Sequence, residues 1–226
     1  MQYTLKKSLG QHFLKDENIC RKIIAALQQV QQQSNIRQVA EVGPGAGALT
    51  KYLLQLPQID LKAVELDAEK IEYLEKNFPG MKDKLIHESI LETIAPFEND
   101  FIVIGNFPYN ISSQIVFKIL EWKEDVSFMI GMFQKEVAQR IAAPTGNKQY
   151  GVLSVLVQAF YDAQFLFDVP PDCFQPPPKV MSSVIQLSKR KNFPAMQSEK
   201  TFFALVKTAF NQRRKMLRNA VHNLFD

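Results

Sequence analysis

A short polar turn at residues 105–109 has the residue types needed to act on the amino group of a nucleic-acid base. The nitrogen of such a group is a poor nucleophile, because its lone pair is delocalised into the ring. The side-chain oxygen of Asn106 and the backbone carbonyl of Phe107 could hold its two hydrogens and push it towards tetrahedral geometry, with Pro108 fixing φ. Tyr109 could stack on the base, a contact worth about 1–3 kcal/mol. The alternative is an ordinary strand-to-helix turn, in which Asn and Pro are common.

A glycine loop lies earlier in the chain, after an apolar run at 38–42 that predicts a buried strand. Gly43, Gly45 and Gly47 would let the backbone turn tightly and approach a ligand at the start of a helix. The next predicted strand carries Glu65, 22 residues after Gly43, where a carboxylate can accept the hydroxyls of a ribose. The glycine spacing differs from that of the dinucleotide fingerprint, so NAD is only a minor alternative. The order of strand, loop, helix, strand and acid favours nucleoside binding.

Strands and helices alternate along most of the chain, which predicts an α/β fold with a doubly wound, mostly parallel sheet. Ligands bind such sheets at the carboxyl ends of the strands, where the glycine loop, Glu65 and Asn106 would converge. Residues 1–15 are predicted to form an arm rather than a regular element. The predicted strands are 38–42, 61–66, 85–87, 101–104, 126–132, 164–169 and 180–187, and the predicted helices of this part begin near residues 16, 49, 68, 112, 133 and 150.

A proline-rich segment at 170–178 is expected to act as a rigid support. Its three final prolines form an extended strut without backbone donors, which could hold Phe174 in one place. Phe174 is then either an aromatic residue of the core or a second wall of the base pocket, opposite or beside Tyr109.

The composition is that of a soluble globular protein, since 46% of the 226 residues are hydrophobic and 22% are charged. The sequence contains no run of 18 or more apolar residues, so it predicts no membrane span. The basic N-terminal stretch lacks the apolar core of a secretory signal. Cys20 and Cys173 lie far apart and lack metal-ligand spacing, and the three histidines are equally scattered. We therefore assign no metal and predict a reduced, cytoplasmic protein.

Basic residues concentrate in the C-terminal part of the chain. From position 169 onwards there are ten Lys or Arg residues and three acidic ones, a net charge of +7, whereas the first 168 residues carry −3. A basic run is often only a solvated face, but no acid occurs between Lys200 and Phe225, which favours contact with a phosphate backbone. A linker at 188–198 predicts a boundary between a domain at 1–190 and a partial helical domain at 191–226, since about 30 residues are few for an independent core.

Motifs along nearly the whole chain resemble those of the ribosomal RNA adenine N6-dimethyltransferase family. The glycine loop looks like the first motif of methyltransferases that use S-adenosylmethionine. The probability that so many motifs match by chance in this order and spacing is very small. They are 11–14 (Gln-His-Phe-Leu), 41–47 (Glu-Val-Gly-Pro-Gly-Ala-Gly), 106–109 (Asn-Phe-Pro-Tyr), 134–137 (Gln-Lys-Glu-Val), 150–154 (Tyr-Gly-x-Leu-Ser), 174–182 (Phe-x-Pro-Pro-Pro-Lys-Val-x-Ser) and 210–218 (Phe-x-x-Arg-Arg-Lys-x-Leu-Arg).

The resemblance implies a Rossmann-like methyltransferase domain that uses S-adenosyl-L-methionine, followed by a small helical domain. It is strongest to the branch that dimethylates two adjacent adenosines near the 3′ end of small-subunit (16S) rRNA in the maturing 30S subunit, and we expect a monomer. It implies that Asn106, Phe107, Pro108, Tyr109 and Phe174 form the catalytic site. It implies cofactor contacts from Gln11, His12, Leu14, Gly43, Gly45, Glu65, Leu66, Ser89 and Asn106, and we expect RNA contacts from Lys179, Arg213, Arg214, Lys215 and Arg218.

The chain departs from the family pattern at two positions. Ser89 stands where the family usually has an acid that helps to hold the cofactor adenine, and the neighbouring Glu88 could take its place. Phe107 stands where Leu is more usual, a change that should be tolerated because the backbone carbonyl carries the role. The family's helical domain also continues well beyond Asp226. Two alternatives stay open: the sister branch that methylates large-subunit RNA and confers macrolide resistance, and a non-catalytic ribosome assembly factor with the same fold.

Overall fold

The computed structural model describes residues 12–193, 195–212 and 215–222. The strands are β1 (Phe13–Leu14), β2 (Gln38–Val42), β3 (Asp60–Glu65), β4 (Leu85–His87), β5 (Phe101–Asn106), β6 (Val126–Gln134), β7 (Tyr161–Val169), β8 (Phe174–Gln175) and β9 (Ser182–Lys189). The helices are α1 (Glu17–Ser34), α2 (Thr50–Leu53), α3 (Ala68–Asn77), α4 (Ser112–Glu121), α5 (Lys135–Ala142), α6 (Val152–Gln158), α7 (Glu199–Asn211) and α8 (Leu217–Val221).

Within the described residues, seven strands form a sheet in the order β4-β3-β2-β5-β6-β9-β7. The pairs from β4 to β6 are all parallel, whereas β9 runs antiparallel to both β6 and β7. Strand order ascends away from β2 in both directions, to β4 on one side and through β5 to β6 on the other. This is a doubly wound, mostly parallel sheet, so the predicted fold class is confirmed.

The sheet is covered on both faces, which explains why its central strands are continuous apolar runs in the sequence. In β5, Ile102 and Ile104 belong to the core that includes the buried face of α1, and Phe101 and Val103 belong to the core that includes α4. All four side chains are fully buried. A strand buried on both faces needs apolar residues at every position rather than at alternate ones. Each such side chain stabilises the fold by about 1.5–3 kcal/mol.

Helix α1 begins where the sequence predicts it, with Asp16 as its N-cap. The Asp16 carboxylate accepts hydrogen bonds from the backbone N–H groups of Asn18 at 2.8 Å and Ile19 at 3.1 Å. Such a cap satisfies donors that have no partner within the helix. At the other end, Asn35 adopts a left-handed conformation with φ of 58°.

The arm before α1 is more regular than the sequence suggested. Phe13 and Leu14 form β1, which pairs antiparallel with β8, so that Leu14 lies opposite Phe174. The backbone N–H of Lys15 also donates to the carbonyl of Cys173 at 2.9 Å. The prediction of an irregular arm is therefore wrong for these two residues, because the strand exists only through pairing with a segment about 160 positions away. Gln11 lies outside the described residues.

The C-terminal helix α7 packs against the same core as α4 and α6. Val206 is buried there, and the ring of Phe203 lies 6.4 Å from that of Phe160. Lys123, which follows α4, pairs with Glu199 at the start of α7 at 3.0 Å. The structure corrects two boundaries: β9 extends into the predicted linker as far as Lys189, and the second C-terminal helix is α8 rather than a helix that begins at residue 211. No helix of the described residues is long and apolar enough to cross a membrane.

Candidate active site

A cavity of about 320 Å³ lies at the carboxyl ends of β2, β3 and β5, where the winding of the sheet reverses. Its walls come from the glycine loop after β2, the end of β3, the loop after β4, the 105–109 turn and the arm that contains β1. Doubly wound sheets bind their ligands at this position. The sequence-predicted site residues that line it are His12, Leu14, Gly43, Gly45, Glu65, Leu66, Ser89, Asn106, Phe107, Pro108 and Tyr109.

The glycine loop is left-handed at each of its glycines, with φ of +67° at Gly43, +59° at Gly45 and +82° at Gly47. Residues with a side chain rarely adopt this conformation. At Gly47 a Cβ would also lie 2.4 Å from the ring of Phe78, so glycine is needed there for space as well as for conformation. At Gly43 a Cβ would lie 3.8 Å from Pro108, which shows that the glycine loop meets the 105–109 turn.

The carboxylate of Glu65 is buried and held by three backbone N–H groups. Its Oε2 accepts from Gly45 at 3.1 Å, and its Oε1 accepts from both Leu66 and Asp67 at 3.0 Å. These bonds fix the end of β3 against the glycine loop. A carboxylate has about four lone-pair positions, so these bonds leave about one on Oε2 for a ligand. Leu66 is 54% exposed and lines the cavity, where it offers an apolar surface.

Glu41 also lines the cavity, although sequence reasoning assigned it no role. Its side chain is 1% exposed, and its Oε2 accepts a hydrogen bond from the hydroxyl of Thr50 at 2.7 Å. Burial raises the pKa of Glu41 from 4.5 to about 8, the Thr50 bond partly opposes that shift, and the negative charge of Glu65 adds to it. The position of Glu41 in β2, two residues before the glycine loop, is a signal that could have identified it.

Lys70 is a second cavity residue that the sequence did not reveal. It lies in the first turn of α3 and its side chain is 7% exposed. A lysine in a short amphipathic helix usually faces solvent, so helical periodicity alone gives no signal for its burial.

The carboxamide of Asn106 is fixed by the arm. Asn106 ends β5, and its Nδ2 donates a hydrogen bond to the backbone carbonyl of His12 at 3.1 Å. With the nitrogen end used in this way, the side-chain oxygen is the end that can accept hydrogen bonds from a ligand. The polarity required to hold an amino group is therefore present at the cavity wall.

The ring of Phe107 is directed into the core rather than into solvent. It is fully buried and packs edge-on against Phe133, with the ring centroids 5.0 Å apart. Two glycines on the central strands make room for it, since a Cβ would lie 2.7 Å from this ring at Gly105 and 2.3 Å from it at Gly131. Its backbone N–H donates to the carbonyl of Met132 at 3.2 Å. The side chain thus anchors the turn, which explains how the chain accommodates Phe at this position.

Tyr109 connects the 105–109 turn to two other segments. Its hydroxyl is hydrogen-bonded to the hydroxyl of Ser182 at the start of β9, and its ring lies 5.3 Å from the ring of His12. Burial raises the pKa of Tyr109, so its hydroxyl stays neutral at physiological pH. His12 is in turn hydrogen-bonded through Nδ1 to the carbonyl of Pro176 at 2.9 Å. The arm, the turn and the proline-rich segment are therefore tied together beside the cavity.

The structure does not bring Phe174 to the cavity wall. Its side chain is 1% exposed, it pairs with Leu14, and it lies in the core that includes α1. The first of the two sequence interpretations, an aromatic residue of the core, describes this position. The pairing of β8 with β1 and the packing of Phe174 in the buried cluster with Leu14 account for this position.

Ser89 and Glu88 both line the cavity. The hydroxyl of Ser89 accepts a hydrogen bond from the backbone N–H of Leu91 at 3.3 Å, which helps to shape the loop after β4. Glu88 is exposed and supplies a carboxylate next to the position where the family pattern has one.

Of the predicted RNA-binding residues, Lys179 is exposed in the loop before β9. Lys215 and Arg218 are exposed before and within α8. Arg213 and Arg214 lie outside the described residues. In the part of the chain that the structure describes, no group of three or more His, Cys, Asp or Glu side chains is arranged to hold a metal ion.

Nearly all of this chain matches known proteins in sequence. The chain is 50% identical over 222 residues to ribosomal RNA small subunit methyltransferase A of Flavobacterium johnsoniae, covering 97% of this chain and 83% of that protein. It is 49% identical over 221 residues to the protein of the same name from Cytophaga hutchinsonii, covering 97% of this chain and 84% of that protein.

A solved structure has the same architecture. A dimethyladenosine transferase from Plasmodium falciparum matches with a TM-score of 0.78 and 28% identity, covering 93% of this chain and 74% of that one. The family model described as "Ribosomal RNA adenine dimethylase" matches residues 2–226. The cavity, the glycine loop and the 105–109 turn agree with these matches. The chain belongs to the ribosomal RNA adenine dimethylase family.

Proposed function

We propose that this protein transfers methyl groups from S-adenosyl-L-methionine to the N6 amino groups of two adjacent adenosines near the 3′ end of small-subunit rRNA. The observation that carries the proposal is that Asn106 and Tyr109 lie on the wall of the same cavity as the glycine loop and Glu65. A binding protein without catalysis would need the nucleoside contacts, but it would have no need of a carboxamide fixed beside them.

The cavity residues fit the proposed cofactor, which supplies the electrophilic methyl group. Glu65 has a lone pair for a ribose hydroxyl, and the exposed Leu66 can cover one face of an adenine. Ser89 or Glu88 would accept from the exocyclic amino group of that adenine. The left-handed glycine loop leaves room for the rest of the molecule near His12 and Leu14, and Gln11 would join them.

The residues of the 105–109 turn would hold the target amino group. The side-chain oxygen of Asn106 accepts one hydrogen and the backbone carbonyl of Phe107 accepts the other, with Pro108 fixing that carbonyl. Tyr109 stacks on an adenosine that has been turned out of its helix. Positioning of this kind can contribute about 7–11 kcal/mol to a reaction, and the proton can pass to solvent after transfer.

The proposed substrate is rRNA in the maturing 30S subunit. The relatives that are about half identical are named small subunit methyltransferases, which favours this branch over the one that acts on large-subunit RNA. Lys179, Lys215 and Arg218 are exposed and would contact the phosphate backbone together with Arg213 and Arg214. Residues 191–226 would form a helical RNA-docking region after a methyltransferase domain at 1–190. We further propose that the protein acts as a monomer in the cytoplasm.

The test is transfer of radiolabelled methyl from S-adenosylmethionine to undermethylated small ribosomal subunits, followed by nucleoside analysis. The proposal expects N6,N6-dimethyladenosine from small subunits and none from large subunits assayed in parallel. Label in the large subunit alone would overturn the substrate assignment. Binding of cofactor and subunit without transfer would favour the non-catalytic assembly factor instead.

A further inference from the structure

Lys70 places a cation in the part of the cavity that Gly45 and Glu65 line. Its Nζ lies 4.0 Å from the position that a Cβ on Gly45 would occupy, and the same glycine donates its N–H to Oε2 of Glu65. Lysine is almost never buried unless its ammonium group meets polar atoms. Among the described residues that line the cavity, Lys70 is the only Lys or Arg. The ammonium of Lys70 and the carboxylate of Glu65 therefore both lie at the Gly45 part of the cavity.

The hydrogen bonds of Glu65 limit what this carboxylate can do alone. Oε1 already accepts from Leu66 and Asp67, and Oε2 accepts from Gly45. With about four lone-pair positions on a carboxylate, Glu65 can accept from about one ribose hydroxyl. A ribose has two, and the oxygen of the second needs a donor. An ammonium group is a donor only, with three N–H bonds, and so it complements the carboxylate.

We propose that Lys70 is a cofactor-binding residue that donates a hydrogen bond to the second ribose hydroxyl, while Glu65 accepts from the first. The inference rests on the proposed binding of S-adenosylmethionine. It makes Lys70 a specificity-determining residue for the intact ribose diol. A contact to the amino-acid carboxylate is the competing explanation that the experiment must separate.

The test measures dissociation constants by calorimetry for wild type and Lys70→Met, which keeps the apolar stem and removes the ammonium. Lys76→Met, on the exposed side of α3, is the matched control. The ligands are S-adenosylhomocysteine, its 2′-deoxy and 3′-deoxy analogues, and 5′-methylthioadenosine, which lacks the amino-acid part. Thermal unfolding verifies that each variant is folded, and Lys70→Gln, which keeps a neutral donor, serves if Lys70→Met does not fold.

We expect Lys70→Met to bind S-adenosylhomocysteine and 5′-methylthioadenosine about tenfold more weakly than wild type does. One of the two deoxy analogues should bind equally to variant and wild type, because the hydroxyl that Lys70 contacts is already missing. Equal weakening of all four ligands, or weakening of S-adenosylhomocysteine but not of 5′-methylthioadenosine, would overturn the inference. Failure of wild type to bind S-adenosylhomocysteine would instead refute the proposed function.

Discussion

The cavity has one end that we propose for the cofactor and another that we propose for the target base, and the two are built in different ways. The cofactor end consists of units that follow one another in the chain: the glycine loop after β2, the end of β3 and the start of α3. The base end joins three distant segments, through the bonds of Asn106 to His12, of Tyr109 to Ser182 and of His12 to Pro176. The first end depends on backbone conformation, and the second depends on contacts between side chains and remote backbone. Substitutions should therefore separate cofactor binding from methyl transfer.

The largest separation is expected from Asn106→Ala. Loss of the carboxamide oxygen removes one acceptor of the target amino group, which should slow transfer by about 10²–10³-fold, as for other preorganised polar groups that bind a transition state. Binding of S-adenosylhomocysteine, measured by calorimetry, should stay nearly unchanged. Asn99→Ala, in an exposed loop, is the control that should leave both quantities unchanged. Joint loss of binding and transfer in Asn106→Ala would show that the turn is structural.

Gly47→Ala tests the cofactor end. It places a Cβ against the ring of Phe78 in a backbone with φ of +82°. Gly146→Ala is the matched control, because Gly146 has φ of +85° but nothing within 4 Å of its Cβ position. Both variants should lose about 1–2 kcal/mol in free energy of unfolding from the left-handed conformation. Only Gly47→Ala should lose more than this and also bind S-adenosylhomocysteine more weakly; equal behaviour of the two would contradict the close packing of the glycine loop.

Glu41 should make the stability of the cofactor end depend on pH. Its pKa rises from 4.5 to about 8 on folding, so between these values the folded protein holds a proton that the unfolded chain has lost. The free energy of unfolding should therefore fall as pH rises through this window, by up to about 1.4 kcal/mol per pH unit. Glu41→Gln should lack this dependence in urea unfolding between pH 5 and 8.5. If Glu41→Gln showed the same pH dependence as wild type, other titratable groups would be its source. Glu88→Gln, at an exposed position, serves as the control.

The smallest effect is expected at the bond between Tyr109 and Ser182. Tyr109→Phe and Ser182→Ala each remove one hydroxyl but keep the aromatic ring, so transfer should slow only a few-fold. A double-mutant cycle on the transfer rate should give a coupling of about 0.5–1.5 kcal/mol. Tyr161→Phe, whose hydroxyl bonds to the carbonyl of Val126, should affect stability and leave transfer unchanged. Strictly additive effects of the two substitutions would show that the contact between Tyr109 and Ser182 does not contribute to methyl transfer.

The sequence predicted the parts of the site that are encoded locally. The glycine spacing, Glu65 and the 105–109 turn were identified from neighbouring residues, and each lies on the cavity. Two other residues of the cavity, Glu41 and Lys70, were not identified. For Glu41, its place in the strand before the glycine loop was an available signal. For Lys70, a charged side chain in a short helix suggests solvent exposure, and only the packing around it shows that it is buried.

The sequence by itself determined the fold class, because continuous apolar strands alternating with amphipathic helices allow few arrangements other than a doubly wound sheet. It also determined where the ligand loops must lie, since the carboxyl ends of parallel strands share one edge. Only the tertiary structure decided that β1 pairs with β8, that Phe174 lies in the core and that β9 inserts antiparallel between β6 and β7. Pairing between distant segments depends on the register and packing of both partners at once, and neither partner carries that information alone.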